Sequence, residues 1–555
     1  MVVVLSCLFM IMLLCCGVLM SREARSTSTI RLHWLLHCFS ALLILIALAT
    51  PGIWYNASEY LHDLWTAFDA VQKTQQGLLS SIDYFSPIGP AQGWFYQASL
   101  WLHPASARTI VVANVFVAAL ALLLALFLLR DRSSPVTIAL VGIIAVTTAL
   151  TPRDIDLPGL QSSFLAPYNR WGWALLMPIA MRAALPIAKR DVPEALILGA
   201  AIALLLLLKV TYGIAASGIL IVAVALQPRQ WKEGAIAFLG CAASLIAVEL
   251  LTAGQVRSYV SDLSDAARIS TVLRIYNLPF LLASFGIVGI GSLIMMLAEL
   301  QREGERPLIA LRNGPWRGAI IAAATGSAGL IVVMQNHDQT EPTALLLVPL
   351  IVAEWSGLLG RRDEPGALWN RGGVIALLLL VVLARPAIDA GMVLAQPVQL
   401  LRKAPVPSFV GTDLQDLEID DYHLPAADGT CGDATCVQYR TMMRGQKLIQ
   451  RHCPLQAGQS LLAANFSNPF SALTGSASSK RGAIWFHADR SFSTDVYVPY
   501  TRLFEGVACL MEARSSPNGA VFMQIYGSNV NRNFQPVAQN EDWTLWKRKR
   551  NRQTN

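Results

Sequence analysis

The chain has 555 residues, 54% of them hydrophobic and only 14% charged, with a mean hydropathy of +0.47 and a net charge of +7. A soluble protein of this length carries about 25% charged residues, so the composition excludes an ordinary soluble enzyme and points to a polytopic, α-helical membrane protein. The positive balance is not a nucleic-acid signature here, because basic residues in such proteins mark cytoplasmic loops.

Residues 1–20 are apolar but lack a basic leader and a small-residue cleavage site. They read either as an extra helix or as sequence upstream of a start at Met20, so residues 1–32 stand apart as an N-terminal segment. Apolar runs long enough to span a bilayer then recur near 33–53, 109–130, 134–150, 171–187, 194–208, 210–226, 234–251, 277–299, 319–334, 342–360 and 373–396. These predict about 11–12 membrane helices over 33–396. With Arg22, Arg25 and Arg31 inside, every second loop is basic, from Arg130 and Arg132 to Arg361, Arg362 and Arg371. That alternation requires two helices around Lys209. It also puts the 54–108 loop and residues 397–555 outside, as expected for a multi-pass protein of a bacterial inner membrane with a periplasmic C-terminal domain.

The first outer loop carries Glu59, Asp63, Asp69 and Asp83 among many aromatics. Glu59 and Asp63 are four apart, so a surface helix would show both on one face. Such a carboxylate can act as a general base on a hydroxyl or hold a divalent cation, Mg or Mn, against a phosphate. It can also merely solvate the loop, and no metal is assigned. The next outer loop offers Tyr168 and Arg170 beside two tryptophans. Arg170 reads as a phosphate ligand or an interfacial anchor, as does Lys209 at the end of a leucine run. The third outer loop has Arg257, Arg268 and Arg274 with Asp262 and Asp265, an outward Arg excess that hints at an anionic ligand. Asn336, His337 and Asp338 sit in a polar turn between two apolar helices, as a pocket floor or as helix caps.

The C-terminal region is rich in Gly, Ser, Asn and Pro and reads as a mixed α/β domain. Strands are expected at Gly482–His487, Thr494–Val498, Ala520–Tyr526 and from Trp543, ahead of a basic tail. Cys431, Cys436, Cys453 and Cys509 lie in the compartment that favours oxidation. Cys431 and Cys436 can close locally, leaving Cys453 for Cys509; the spacing is not that of a zinc site.

The loop acids running into Asp83-Tyr84-Phe85-Ser86-Pro87-Ile88-Gly89-Pro90, the Tyr168-Asn169-Arg170-Trp171-Gly172-Trp173 segment and the Gln335-Asn336 turn resemble bacterial membrane glycosyltransferases of the GT-C superfamily. That group includes protein O-mannosyltransferases and lipid A aminoarabinose transferases. Asn468-Pro469-Phe470 and the closing Trp543-Thr544-Leu545 add to the likeness. It implies a polyprenyl-phosphate-linked sugar donor, an inverting transfer at the outer face to a glycan, lipid or protein acceptor, and a catalytic acid in the first outer loop, where Asp63 fits best. The chain departs from the pattern in having no adjacent acid pair or DxD there. A polysaccharide polymerase or ligase, a transporter and a non-catalytic scaffold are the competing readings.

Overall fold

A computed structural model describes residues 26–153, 161–164, 166–185, 191–227, 230–269, 315–335, 343–355, 368–402, 406–455 and 459–549. The expected helix at 277–299, the segment 1–20, and Arg274, Asn336, His337 and Asp338 lie outside the described residues. The membrane part begins with α1 (Ser26–Ala49). After it come a short strand, β1 (Ile53–Tyr55), and two loop helices, α2 (Leu61–Gln75) and α3 (Ala91–Leu100). The bundle continues with α4 (Ala107–Leu129), α5 (Pro135–Leu150), α6 (Pro167–Ala184), α7 (Val192–Leu208), α8 (Val210–Leu226) and α9 (Trp231–Leu251). The amphipathic α10 (Gln255–Ile269) follows. Then come α11 (Pro315–Gln335), α12 (Leu347–Trp355, after a 3-10 turn) and the long α13 (Leu368–Leu400).

Among the described residues, four helices are long and apolar enough to cross a membrane, and five more apolar helices are shorter. Leu239, Ile246, Leu250 and Leu251 on α9, and Ile214 and Ile221 on α8, are exposed. Large apolar side chains left bare on a helix face fit lipid rather than water. The chain is a polytopic membrane protein.

Two helices do meet at Lys209. Its extended backbone (φ −161°, ψ 120°) ends α7 and starts α8. The two helices fold back tightly enough that a Cβ on Gly213 would lie 2.4 Å from Leu206 Cγ. Central α6 is buried on every side, with Arg170, Trp171, Trp173 and Arg182 all at most 1% exposed. Gly172 lets Tyr212 of α8 approach, since a Cβ there would meet its ring at 2.5 Å.

One end of the bundle is closed by a buried ionic ring. Arg132 donates to Glu194 at 2.8 Å and to Glu233 at 3.2 Å. Arg182 donates to Glu233 at 2.8 Å and also pairs with Glu194. The four residues come from α6, α7, α9 and the α4–α5 turn, so the ring fixes the spacing of those elements.

The C-terminal region contains β2 (Leu417–Ile419), α14 (Ala434–His452), β3 (Ser460–Ala464), α15 (Phe470–Thr474), β4 (Ala477–Ser478), α16 (Tyr500–Leu503), β5 (Val507–Ala513), α17 (Pro517–Asn533), β6 (Phe534–Gln539) and β7 (Trp543–Arg548). Five strands form one sheet in the order β4-β3-β5-β7-β6, parallel at β4-β3-β5 and antiparallel beyond. Cys431 bonds Cys436 at the head of α14, and Cys453, just past its end, bonds Cys509 on β5. The last strand forms where expected from Trp543. The other three expected strands do not. Ala520–Tyr526 lies inside α17, whose Ser516 and Pro517 start a helix despite the β-branched and aromatic run. Gly482–His487 and Thr494–Val498 are irregular, apart from a bridge between Phe85 and Ala483.

Replacing Arg182 by Met should leave Glu194 and Glu233 under-compensated in a buried site and cost about 3–5 kcal/mol, read as a lower unfolding temperature of the purified protein in detergent. Replacing Cys453 and Cys509 together by Ala should cost about 2–5 kcal/mol, measured as earlier protease cleavage of the C-terminal region under a denaturant ramp.

Candidate functional site

The loop over residues 54–108 has little fold of its own and takes its shape from the C-terminal region. β1 pairs in parallel with β2, Ile53 opposite Leu417 and Tyr55 opposite Ile419. On its other edge, Gln396 of α13 acts like a further strand. Its Oε1 accepts from the Trp54 N–H at 2.9 Å, and its Nε2 donates to the Trp54 carbonyl at 3.1 Å. Asp416 accepts from the backbone N–H groups of Ala107 at 2.8 Å and Arg108 at 2.9 Å. It thereby caps the start of a membrane helix from 309 residues away.

The head of α14 is stitched to residues 56–62. His423 reaches the Asn56 carbonyl at 3.0 Å with Nε2, while its Nδ1 meets Asp433. The Thr435 hydroxyl donates to the Ala57 carbonyl at 2.8 Å, and its N–H to the Ser58 carbonyl at 3.0 Å. Gln438 accepts from the His62 N–H at 3.1 Å. That last bond satisfies one of the free donors at the start of α2, where Tyr60 in the left-handed region (φ 66°) offers no side-chain cap.

The three loop acids separate by environment. Asp69 is 3% exposed, pairs with Lys73 at 2.8 Å and accepts from Ser478. Lys73, 2% exposed, also donates to Ser478 at 2.6 Å and faces the Tyr84 ring. Burial, with Asp69 nearby, pushes the Tyr84 phenol up. This is a packed polar joint between α2 and the sheet. Asp83 is held at the surface, accepting from the Leu79 N–H at 2.8 Å with Arg481 at 3.4 Å. Asp63 is about as exposed as Asp83, 23% of the side chain against 26%, and differs in its partner, since its carboxylate lies 3.3 Å from His62 Nε2. The His62 ring rests edge-on against Phe466 at 4.3 Å. Glu59 does not share the face of Asp63 as the four-residue spacing suggests, because α2 begins only at Leu61.

At the helix ends next to the loop, cations converge. Arg153 and Arg385 flank buried Asp389 at 3.3 Å and 3.0 Å, and Arg170 donates to the Thr151 carbonyl at 2.7 Å. Lys209 donates to Asn169 at 2.8 Å, with its ammonium 5.1 Å from the Tyr168 ring centre. Tyr168, Arg170 and Lys209 thus belong to one neighbourhood. Ser162 ties it to the loop by donating to the Trp54 carbonyl at 2.8 Å and accepting from Gln396 at 2.8 Å. Arg385 and Asp389 are absent from the residues expected above, although ionisable residues inside the apolar 373–396 run are a legible signal. Gln438 and Phe466 carry no such signal. Among the described residues no group of three His, Cys, Asp or Glu side chains stands close enough to hold a metal ion.

The surface helix α10 closes the far side of the loop. Asp262 accepts from the Ser86 N–H at 2.9 Å, and Gln255 donates to the Ser80 carbonyl at 3.1 Å. Arg257 and Arg268 are exposed and lie 3.6 Å from Glu249 and Asp265. Burial raises Asp262 to about 7, against the Ser86 N–H, which lowers it.

No protein-family model and no curated relative matches the chain. Among solved structures, it aligns with ArnT from Cupriavidus metallidurans in the apo state (TM-score 0.48, 12% identity, 92% of this chain and 97% of that one). It aligns with the same protein bound to undecaprenyl phosphate over the same shares (TM-score 0.47, 12% identity). It also aligns with the apo oligosaccharyltransferase of Archaeoglobus fulgidus (TM-score 0.39, 12% identity, 86% of this chain and 69% of that one).

Because the folded value of Asp262 lies above the ordinary carboxyl value, the folded protein keeps a proton that the unfolded chain loses as pH rises from about 4. The Asp262 contribution to stability therefore declines up to about pH 7. Asp262→Asn does not titrate, so its unfolding temperature should gain on wild type across that window and hold a constant offset above it, as a pH series of thermal melts would show.

Proposed function

We propose that the chain is a membrane glycosyltransferase of the GT-C type, which moves a sugar from a polyprenyl-phosphate donor to an envelope glycan, lipid or protein acceptor with inversion. The observation that carries this reading is the contrast among the loop acids. Asp69 is tied into a buried ion pair with Lys73 and Asp83 into a surface turn facing Arg481, whereas the partly exposed Asp63 faces an imidazole.

In this reading the Asp63 carboxylate takes the proton of the acceptor hydroxyl. The oxygen attacks the anomeric carbon, the bond from that carbon to the phosphate oxygen breaks, and the lipid phosphate leaves with the bonding electrons. The guanidinium and ammonium groups of Arg170, Arg153 and Lys209 would balance charge on the leaving phosphate, a role that suits fixed donors in a water-poor site. The donor class follows the motif resemblance. The C-terminal region is on the same side as Asp63 and would select the acceptor, with the bacterial inner membrane holding the bundle and the domain periplasmic.

Surface glycans of a deletion strain, complemented with wild type or Asp63→Ala at equal membrane levels, should be compared by mass spectrometry. Wild type should restore a sugar modification. Asp63→Ala should reduce its rate by about 10²–10⁴-fold, the usual share of a general base. Full restoration by Asp63→Ala would remove Asp63 from the mechanism, and unchanged glycans on deletion would favour the non-catalytic scaffold.

A further inference from the structure

We propose that Gln438 is a positioning residue: its side-chain amide holds the His62 imidazole neutral, with its proton on Nε2 and facing Asp63. The inference rests on the reading of Asp63 as the base, and it starts from a hydrogen bond that cannot be reversed. The His62 backbone N–H donates, so the Gln438 atom 3.1 Å away is the carbonyl oxygen, Oε1. The other end of the same amide is therefore the NH2 group, and it lies 3.2 Å from His62 Nδ1. An amide NH2 only donates, so Nδ1 accepts and bears no hydrogen. The imidazole proton must then sit on Nε2, the atom 3.3 Å from the Asp63 carboxylate.

Two neighbours keep that geometry. Phe466 packs edge-on against the ring at 4.3 Å, and Thr435, one turn before Gln438 on α14, bonds the Ala57 carbonyl at 2.8 Å. Protonating Nδ1 would set its N–H against the Gln438 NH2, so Gln438 opposes formation of the imidazolium. An imidazolium beside Asp63 would favour the carboxylate and weaken it as a base. A neutral imidazole instead donates one N–H to the carboxylate without adding a full positive charge beside it. Among the described residues, other titratable groups near His62 include Tyr60, with ring centres 6.1 Å apart, and His487, which shares the Phe466 ring.

Gln438→Glu tests the idea with one atom changed. Its carboxylate still accepts the His62 N–H but cannot donate to Nδ1, so it favours the imidazolium. In the full-length protein with ¹⁵N-labelled histidine, His62 is assigned by its loss in His62→Asn. Wild type at pH 7 should show a bare Nδ1 and a protonated Nε2, and Gln438→Glu should show both nitrogens protonated. In membrane vesicles with endogenous donor and acceptor, assayed by mass spectrometry of the glycan pool, the limb of the rate profile set by His62 protonation should move up by about one pH unit in Gln438→Glu, because the new carboxylate stabilises the imidazolium. A role confined to folding would scale the profile without moving its limb. A wild-type Nδ1 that carries the proton, or an unmoved limb in Gln438→Glu, overturns the proposal. A bare Nδ1 together with full transfer by Asp63→Ala would uphold the tautomer and reject the base assignment, so the two failures are distinct.

Discussion

The structure depends on backbone groups of the loop over residues 54–108 finding partners that the loop does not contain. Three residues of β1 cannot stand alone as a strand, and α2 opens on a tyrosine that cannot cap it. Exposed amide groups next to a bilayer are costly to leave unpaired. β2, Gln396, Asp416, Thr435 and Gln438 supply the missing donors and acceptors. The loop is in this sense a composite surface, half written near the start of the chain and half beyond residue 395.

Charge is handled differently at the two ends of the bundle. At one end Arg132, Arg182, Glu194 and Glu233 neutralise one another two against two, so the ring carries no surplus charge for a ligand. At the other, Arg153 and Arg385 share one carboxylate, Asp389, with Arg170 and Lys209 close by. A balanced cluster suits a structural lock, whereas a cation-rich one attracts anions.

Helix positions were legible because membrane spans announce themselves by length and hydropathy. The break at Lys209 was legible through the alternation of basic loops. The C-terminal strands were not, apart from the last. A β-branched, aromatic run such as Ala520–Tyr526 suits either state, and Pro517 in the first turn favours helix. Among the acids, sequence placed Asp63, Asp69 and Asp83 in one loop and preferred Asp63 only through the family resemblance, since their separate environments come from Lys73 and Ser478 burying one and Arg481 facing another. Gln438 was invisible for the same reason. Its meaning lies in a partner 376 positions away.

That separation has a consequence for how the protein comes into being. At about 5–20 residues per second of synthesis, the 376 residues between His62 and Gln438 take roughly 20–75 s to appear. For that interval β1 lacks β2, and the start of α4 lacks Asp416. The membrane bundle can insert helix by helix, while the loop over residues 54–108 waits for the last part of the chain to be made. Ribosome stalling or truncation before α14 would therefore yield an inserted protein with an unfinished loop, so completion of the polypeptide itself acts as the checkpoint for folding of that loop.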